Sequence, residues 1–304
     1  MKTRTVALAS PQALTALLLI LPTLFVLAVF RYYPVVSAVW HSLFNWNGFT
    51  AGRYVGLANY RQALSDPVMA SASQNIARYI AIRVVLNLVF PLLAAELIFH
   101  LPQGRATNAY KSLLTIPLAV PLMVVLLAWK FIYNPRDGLL DVVLRGIGLG
   151  GAARDWLGGF DTALYAISGL GFPWVTGIGI AGFGMLLYLA ALQAIPGELF
   201  DAAAVDGVSP LRRFFRIEAP LIARQLWLVA LLTVINTLQS YVPVMVLTMG
   251  GPGVSSMVPG LYLYLNAFSY DRFGYACSIG VLMAAVLGAL AYLNTRVARL
   301  AEAS

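Results

Sequence analysis

The chain has 304 residues, of which 60% are hydrophobic and only 11% charged, with a formal net charge of +8. Soluble domains are about half apolar and a quarter charged, so this balance excludes an ordinary water-soluble fold and requires a lipid environment. The cations sit in short clusters between apolar runs, with no basic face interleaved with aromatics, which excludes nucleic acid as a partner; the lone Cys277 excludes an internal disulfide.

The first apolar run extends from about Ala13 to Tyr33, after Lys2 and Arg4. It is too long for the apolar region of a secretion signal, and Arg31-Tyr32-Tyr33-Pro34 stands where a small-residue cleavage site belongs, so it reads as a first membrane span. Five more runs follow: Ile76 to Phe99, Leu113 to Ile132, Leu164 to Leu192, Leu226 to Leu247 and Tyr275 to Leu293. About 20 helical residues cross a hydrocarbon core of about 30 Å, and backbone amides in lipid must be satisfied within each segment. The expected fold is therefore all-α and polytopic, with six transmembrane helices in a single membrane domain over residues 1–304. Six crossings put both termini on one side. Inner and outer segments carry nearly equal numbers of cations, but the tail 1–12 and the Leu101 to Ser112 loop hold no acids, which places both termini in the cytoplasm. Trp40, Trp46, Trp129, Trp156 and Trp174 then gather toward the outer interface.

Within these runs a few residues stand out. Arg83 and Glu96 are charged residues of the second span, about four turns apart and so unable to pair on one straight helix. Gly169, Gly171, Gly177, Gly179, Gly182 and Gly184 make the fourth run suited to close packing. His41 and His100 give no metal-ligand spacing with Cys277 and read as interfacial. Asp137, Asp141, Asp155 and Asp161 read as solvated loop acids, and no nucleophile-elbow or metalloprotease motif accompanies them, so no catalytic residue is expected.

Residues 193–222, between the fourth and fifth spans, read as helix, turn, helix. Pro196 suits a helix start, Leu199 to Val205 form a short alanine-rich helix, and Gly207 can take the positive φ that ends it. Ser209 is placed to cap a second helix with Pro210 at its first position, and Pro220 to stop it. Leu211, Phe214, Phe215 and Ile217 supply an apolar side, and Arg212, Arg213 and Arg216 a basic one.

This stretch resembles the loop motif of permeases in ATP-binding-cassette (ABC) importers: Glu-Ala-Ala, three residues, Gly, nine residues, Ile-x-Leu-Pro. The match runs from Asp201, Ala202 and Ala203 through Asp206 and Gly207 to Phe214, Ile217 and Pro220, with Asp201 in place of the usual Glu and Ala219 in place of the usual Leu. Tyr54-Val55-Gly56-Leu57-Ala58-Asn59-Tyr60 and Leu247-Thr248-Met249-Gly250-Gly251-Pro252 are similar to signatures of the larger membrane subunit of maltose-type carbohydrate importers. The resemblance implies a type I importer permease fold in a bacterial or archaeal plasma membrane, with residues 193–222 as a cytoplasmic coupling loop. It implies as partners a second permease subunit, two ABC ATPase subunits and an external solute-binding protein, with ATP and magnesium bound in the ATPases and no cofactor in this chain. A phosphate-binding loop needs lysine after glycine, and Lys2, Lys111 and Lys130 follow Met1, Tyr110 and Trp129, so ATP hydrolysis is expected elsewhere.

Polar groups within spans are costly and mark candidate solute paths. The fifth span carries Thr233, Asn236, Thr237, Gln239, Ser240 and Tyr241. Registered on the loop motif, Asn236, Thr237 and Ser240, together with Thr176, Gly179, Ile180 and Phe183 on the fourth span, fall where the maltose subunit contacts sugar. Hydroxyls and amides beside the Tyr241 ring suit a polyol; the same groups serve equally well as hydrogen bonds between helices. The alternatives are an ion-coupled secondary transporter, for which Glu96 is the one buried acid on offer, and, within the family, a glycerol-phosphate or oligosaccharide permease.

Overall fold

The computed structural model describes residues 11–102, 104–171 and 181–303. Helices dominate: α1 (Pro11–Leu27), a π-helical turn Ala28–Tyr32, α2 (Tyr33–His41), a two-stranded pair β1 (Phe44–Asn45) and β2 (Arg53–Tyr54), α3 (Ala58–Ser65), α4 (Pro67–Phe99) and α5 (Arg105–Thr115). Next come a 3-10 turn Ile116–Ala119, α6 (Leu122–Ile132), α7 (Leu139–Gly146), α8 (Ala163–Ser168), α9 (Ala181–Gln193), α10 (Gly197–Val205), α11 (Pro210–Arg213), a second π turn Phe214–Glu218 and α12 (Ala219–Leu221). The chain continues through α13 (Ala223–Gln239), α14 (Val242–Leu247), α15 (Pro259–Phe268) and α16 (Phe273–Ala303).

Leu17–His41, Pro67–Phe99 and Phe273–Arg296 are each long and apolar enough to cross a membrane unaided. Three helix pairs qualify only together, being bent by 97°, 71° and 70°, which raises the count to at most six; two of these pairs take in α10 and α11–α12, which lie outside the fourth and fifth runs expected from the sequence. The spans differ from the sequence reading at their ends and breaks. The first does not stop at Tyr33, because Pro34 falls in the first turn of α2, where a missing N–H costs nothing. The third, expected unbroken, turns by 97° at Val120-Pro121, where Pro121 leaves no helical N–H to continue the ladder. Within the fourth, α8 ends at Ser168 and Gly171 has φ +89; residues 172–180 lie outside the described ones, and α9 is described from Ala181. The fifth breaks at Ser240, whose extended backbone separates α13 from α14. Asp141 is not a solvated acid: it is 3% exposed and accepts a hydrogen bond from Trp156 Nε1 at 2.7 Å.

The chain divides into two compact units. The first comprises residues 1–65 and 263–304. From Leu17 to His41 no side chain is buried, so this helix presents apolar surface that only lipid or another chain can cover. β1 and β2 pair antiparallel with Phe44 opposite Tyr54, and α16 packs on α2, α3 and β1. The Tyr54–Tyr60 signature is the fastening here. Gly56 makes the turn at φ +58, the buried Asn59 amide donates to the Ser42 carbonyl at 2.8 Å and the Phe44 carbonyl at 2.9 Å, and the Tyr60 hydroxyl lies 2.6 Å from Ser42 Oγ. Gly274 fits because a Cβ there would collide with the Phe44 carbonyl oxygen. Replacing Asn59 with leucine strands two carbonyls and is expected to cost about 2 kcal/mol, read as a lower unfolding temperature in detergent.

The second unit, residues 66–262, is built on α4. Asp66 caps it, its carboxylate accepting from Val68 N at 2.8 Å and from the Tyr262 hydroxyl at 2.6 Å. α9 and α13 pack along it. Ala95, Ile98, Met185, Tyr188, Leu189, Leu192, Ile222 and Val229 close the core between the three helices. Gly184 permits the approach: a Cβ there would already touch Val229 and Pro91 at 3.5 and 3.6 Å. Asn75 of α4 donates to the carbonyls of Val254 and Met257 at 2.9 and 3.0 Å, fastening the loop after α14, in which Gly250 (φ +88) and Gly253 (φ +58) make the turns.

Candidate coupling hairpin and transport path

α10 and α11 are joined by a tight turn. Gly207 has φ +64, its N–H bonds Ala204 O at 3.1 Å, and Val208 N bonds Ala203 O at 3.0 Å, which is the paired closure of a helix ending on glycine. Pro196 occupies the cap position of α10 rather than its first turn. Ser209 takes the cap position of α11, but its side chain makes no capping bond, contrary to expectation. Pro220 does not stop the second helix. It lacks the N–H that would bond one turn back, so the chain widens into the π turn Phe214–Glu218, where Ala219 N reaches Phe214 O, and the 70° elbow comes after Leu221.

That wider turn rearranges the faces. Leu211 and Phe215 are 70% and 64% exposed, and Val205 at the end of α10 is 89% exposed, so the hairpin carries three open apolar side chains. Phe214 and Ile217, expected on the same apolar face, are half-buried. Asp201, Ala202, Asp206 and Gly207 are exposed, as a partner-facing surface requires, whereas Ala203 is buried and holds the hairpin together; Pro220 is exposed beyond the π turn. Arg213 leaves the basic side and turns inward. Its Nε donates to Glu218 Oε1 at 2.7 Å, its Nη2 lies 2.8 Å from His100 Nε2, and its guanidinium covers the Phe200 ring at 5.3 Å. His100 Nε2 also lies 2.8 Å from Glu96 Oε1. That one nitrogen donates to Glu96 or accepts from Arg213 according to where its proton sits.

Glu96, His100 and Glu218 bring one ligand atom each within 4.8 Å of the others, a grouping that residue spacing along the chain did not reveal. Glu218 is fully buried, and Glu96 beside it is half-buried. The Arg213 guanidinium stands among them and supplies the positive charge that two adjacent carboxylates require.

The expected solute-site residues are divided by the helix break. On α13 Asn236 is exposed, with its amide folded back onto Leu232 O at 2.8 Å; Ser240 and Tyr241 are half-buried at the break, and Thr237 is 6% exposed and packed inward. Phe183 of α9 is 49% exposed. Thr176, Gly179 and Ile180 lie outside the described residues. α4 backs this region with polar groups not assigned from sequence. Tyr79 is in hydrogen-bond contact with Ser240, and Asn87 Nδ2 reaches Thr233 Oγ1 at a long 3.4 Å. Arg83 Nη1 donates to the carbonyl of Leu170 at 3.0 Å and reaches that of Ser168 at 3.5 Å, at the negative end of α8.

The family described as binding-protein-dependent transport system inner membrane component matches residues 87–299, a stretch that includes the hairpin, α9, α13 and most of α16. The chain belongs to this family. The permease is 30% identical to a probable ABC transporter permease protein, YurN, of Bacillus subtilis (strain 168), covering 92% of this chain and 94% of that one. It is 32% identical to the trehalose/maltose transport system permease protein MalF of Thermococcus litoralis, covering 89% of each. A chain from the crystal structure of a bacterial alginate ABC transporter, in complex with an alginate pentasaccharide-bound periplasmic protein, superposes with a TM-score of 0.80 at 19% identity, covering 95% of each chain. The likeness to that chain carries the fold, which is that of an ABC importer permease. The permease is thus a multi-pass inner-membrane component of a transport system, and membership of the family does not favour an ion-coupled secondary transporter.

Proposed function

We propose that the permease is half of a heterodimeric pore that imports a sugar or related polyol, driven by ATP hydrolysis in two separate subunits that bind the nucleotide and magnesium. The observation that carries this reading is the hairpin. Val205, Leu211 and Phe215 project apolar surface beside the exposed Asp201, Ala202 and Gly207, a combination suited to the groove of a partner protein. Asp201 forms no ion pair among the described residues and offers its charge to that partner. The hairpin and both termini face the cytoplasm, and an external binding protein delivers the solute to the opposite side.

The substrate class is supported by relatives named for sugars, among them a diacetylchitobiose permease of Streptomyces coelicolor that is 30% identical, and by the side chains themselves. Asn236, Ser240 and Tyr241 offer amide and hydroxyl partners beside a ring, and Phe183 offers an apolar platform, which together match the hydroxyls and C–H faces of a sugar. Thr237 contributes from behind by fixing α13, and Thr176, Gly179 and Ile180 complete the proposed lining.

Reconstitution of the full complex in proteoliposomes tests this. Uptake should require ATP inside and loaded binding protein outside. Asn236→Ala and Ser240→Ala should each lower uptake about fivefold at saturating binding protein, the loss of one hydrogen bond. ATP-independent uptake would overturn the importer reading, and unchanged uptake in both variants would assign the two residues to helix packing.

A further inference from the structure

The hairpin is fastened to α4 by a set of charges with an unusual placement. Arg213 and Glu218 are five residues apart, a spacing that on a regular α-helix points side chains to different faces. The π turn Phe214–Glu218 closes five residues per hydrogen bond and brings the two together at 2.7 Å. Beyond Glu218, Arg213 Nη2 lies 2.8 Å from His100 Nε2, which accepts from it when that nitrogen carries no proton, and Glu96 Oε1 lies 2.8 Å from the same nitrogen, which donates to it when protonated; in either state the hairpin's cation sits in one charge cluster with the end of α4. Phe200 of α10 adds a second point of attachment, lying 5.5 Å from the ring of Phe99 and beneath the Arg213 guanidinium.

Energetics argue against packing as the purpose. Removing a carboxylate from water costs several kcal/mol, and apolar side chains of similar volume commonly replace buried ion pairs with no loss of stability. Glu218 is nevertheless fully buried, so it serves neither docking nor solubility. What an ion pair adds over apolar contact is direction. Arg213 fixes the angle between the hairpin and α4 directly before the 70° elbow that leads into α13. Farther along α4, Tyr79 contacts Ser240 at the break after α13, Asn87 contacts Thr233 of α13, and Arg83 holds the end of α8. A hairpin moved by a partner therefore has two routes into the solute region, the backbone through Ile222 and the clasp through α4.

We propose that Arg213, Glu218, His100 and Glu96 form an ionic clasp that transmits hairpin movement into α4, with Arg213 as its positioning residue. The clasp rests on the docking of the hairpin to an ATPase proposed above.

The test uses the complete complex, with partner permease, ATPases and binding protein, in proteoliposomes. Three variants are compared: Arg213→Ala, Glu96→Gln, and the double variant Arg213→Met/Glu218→Leu, which fills the same space without charge and keeps the fold intact. ATPase should co-purify with each, and ATP hydrolysis with loaded binding protein should stay within about twofold, while solute imported per ATP falls about tenfold. Combining Arg213→Ala with Glu96→Gln should be no worse than Arg213→Ala alone, since both act on one charge cluster. Arg213→Lys, which keeps the charge on Glu218 but cannot span both partners, should recover part of the uptake. Uptake and hydrolysis falling in equal proportion, or normal transport in Arg213→Met/Glu218→Leu, would overturn the clasp alone. If the unaltered chain brings down no ATPase, the docking reading fails, and the clasp with it.

Discussion

Gly207→Val should nearly abolish uptake, whereas Gly207→Asn should keep most of it. The reason is conformational. Gly207 holds φ +64, and a Cβ there would meet nothing within 4 Å in this chain, so any penalty within the permease comes from the backbone and not from a clash. The left-handed region costs an ordinary residue about 1–2 kcal/mol, less for asparagine and more for a β-branched side chain. Relaxing φ breaks the bonds from Gly207 N to Ala204 O and from Val208 N to Ala203 O, and with them the angle between α10 and α11. The expected order of uptake is Gly, Asn, Ala, Val, with ATPase co-purification falling in the same order and the valine variant down about tenfold or more. Gly207→Trp should lose both for the added reason that its ring fills the surface where the ATPase is proposed to sit. Equal behaviour of asparagine and valine would show that φ at this position is unimportant.

Arg83→Met is expected to destabilise the permease more than any surface change. Arg83 is 5% exposed, and it satisfies carbonyls at the end of α8. Its removal leaves polar backbone facing an apolar replacement, at about 1–3 kcal/mol for each carbonyl. The expected loss of about 3 kcal/mol should lower the unfolding temperature of the solubilised complex by several degrees. Arg83→Lys retains one donor direction and should recover part of it. The opposing consideration is the cost of burying a cation, which methionine would remove. A variant as stable as the parent would show that this cost cancels the two hydrogen bonds.

Much of this molecule was legible along the chain because its strongest signals are local. Six apolar runs identify the crossings, since lipid demands both apolar side chains and internally bonded backbone within each one. The hairpin is equally local: Pro196, Gly207 and Pro210 act through φ and missing N–H groups, and their spacing alone places the turn. Where local reading failed, a single backbone event intervened. Pro220 was expected to stop a helix and instead widened it, which rotated Phe214 and Ile217 inward and left Leu211 and Phe215 outside. Ser240, along the chain one more hydroxyl in an apolar run, is the break in that helix.

The sequence by itself determined the solvent of this protein, its helical class, its six apolar runs and the position of the turn between α10 and α11. Tertiary structure alone decided which polar groups meet: Arg83 with the end of α8, Tyr79 with Ser240, and Arg213 with Glu218, His100 and Glu96. In water, an apolar stripe tells which helix face turns inward; in lipid both faces are apolar, so that information is absent from the periodicity. It resides in the packing of α4 against α9 and α13, helices far apart in the chain and brought together only by the fold.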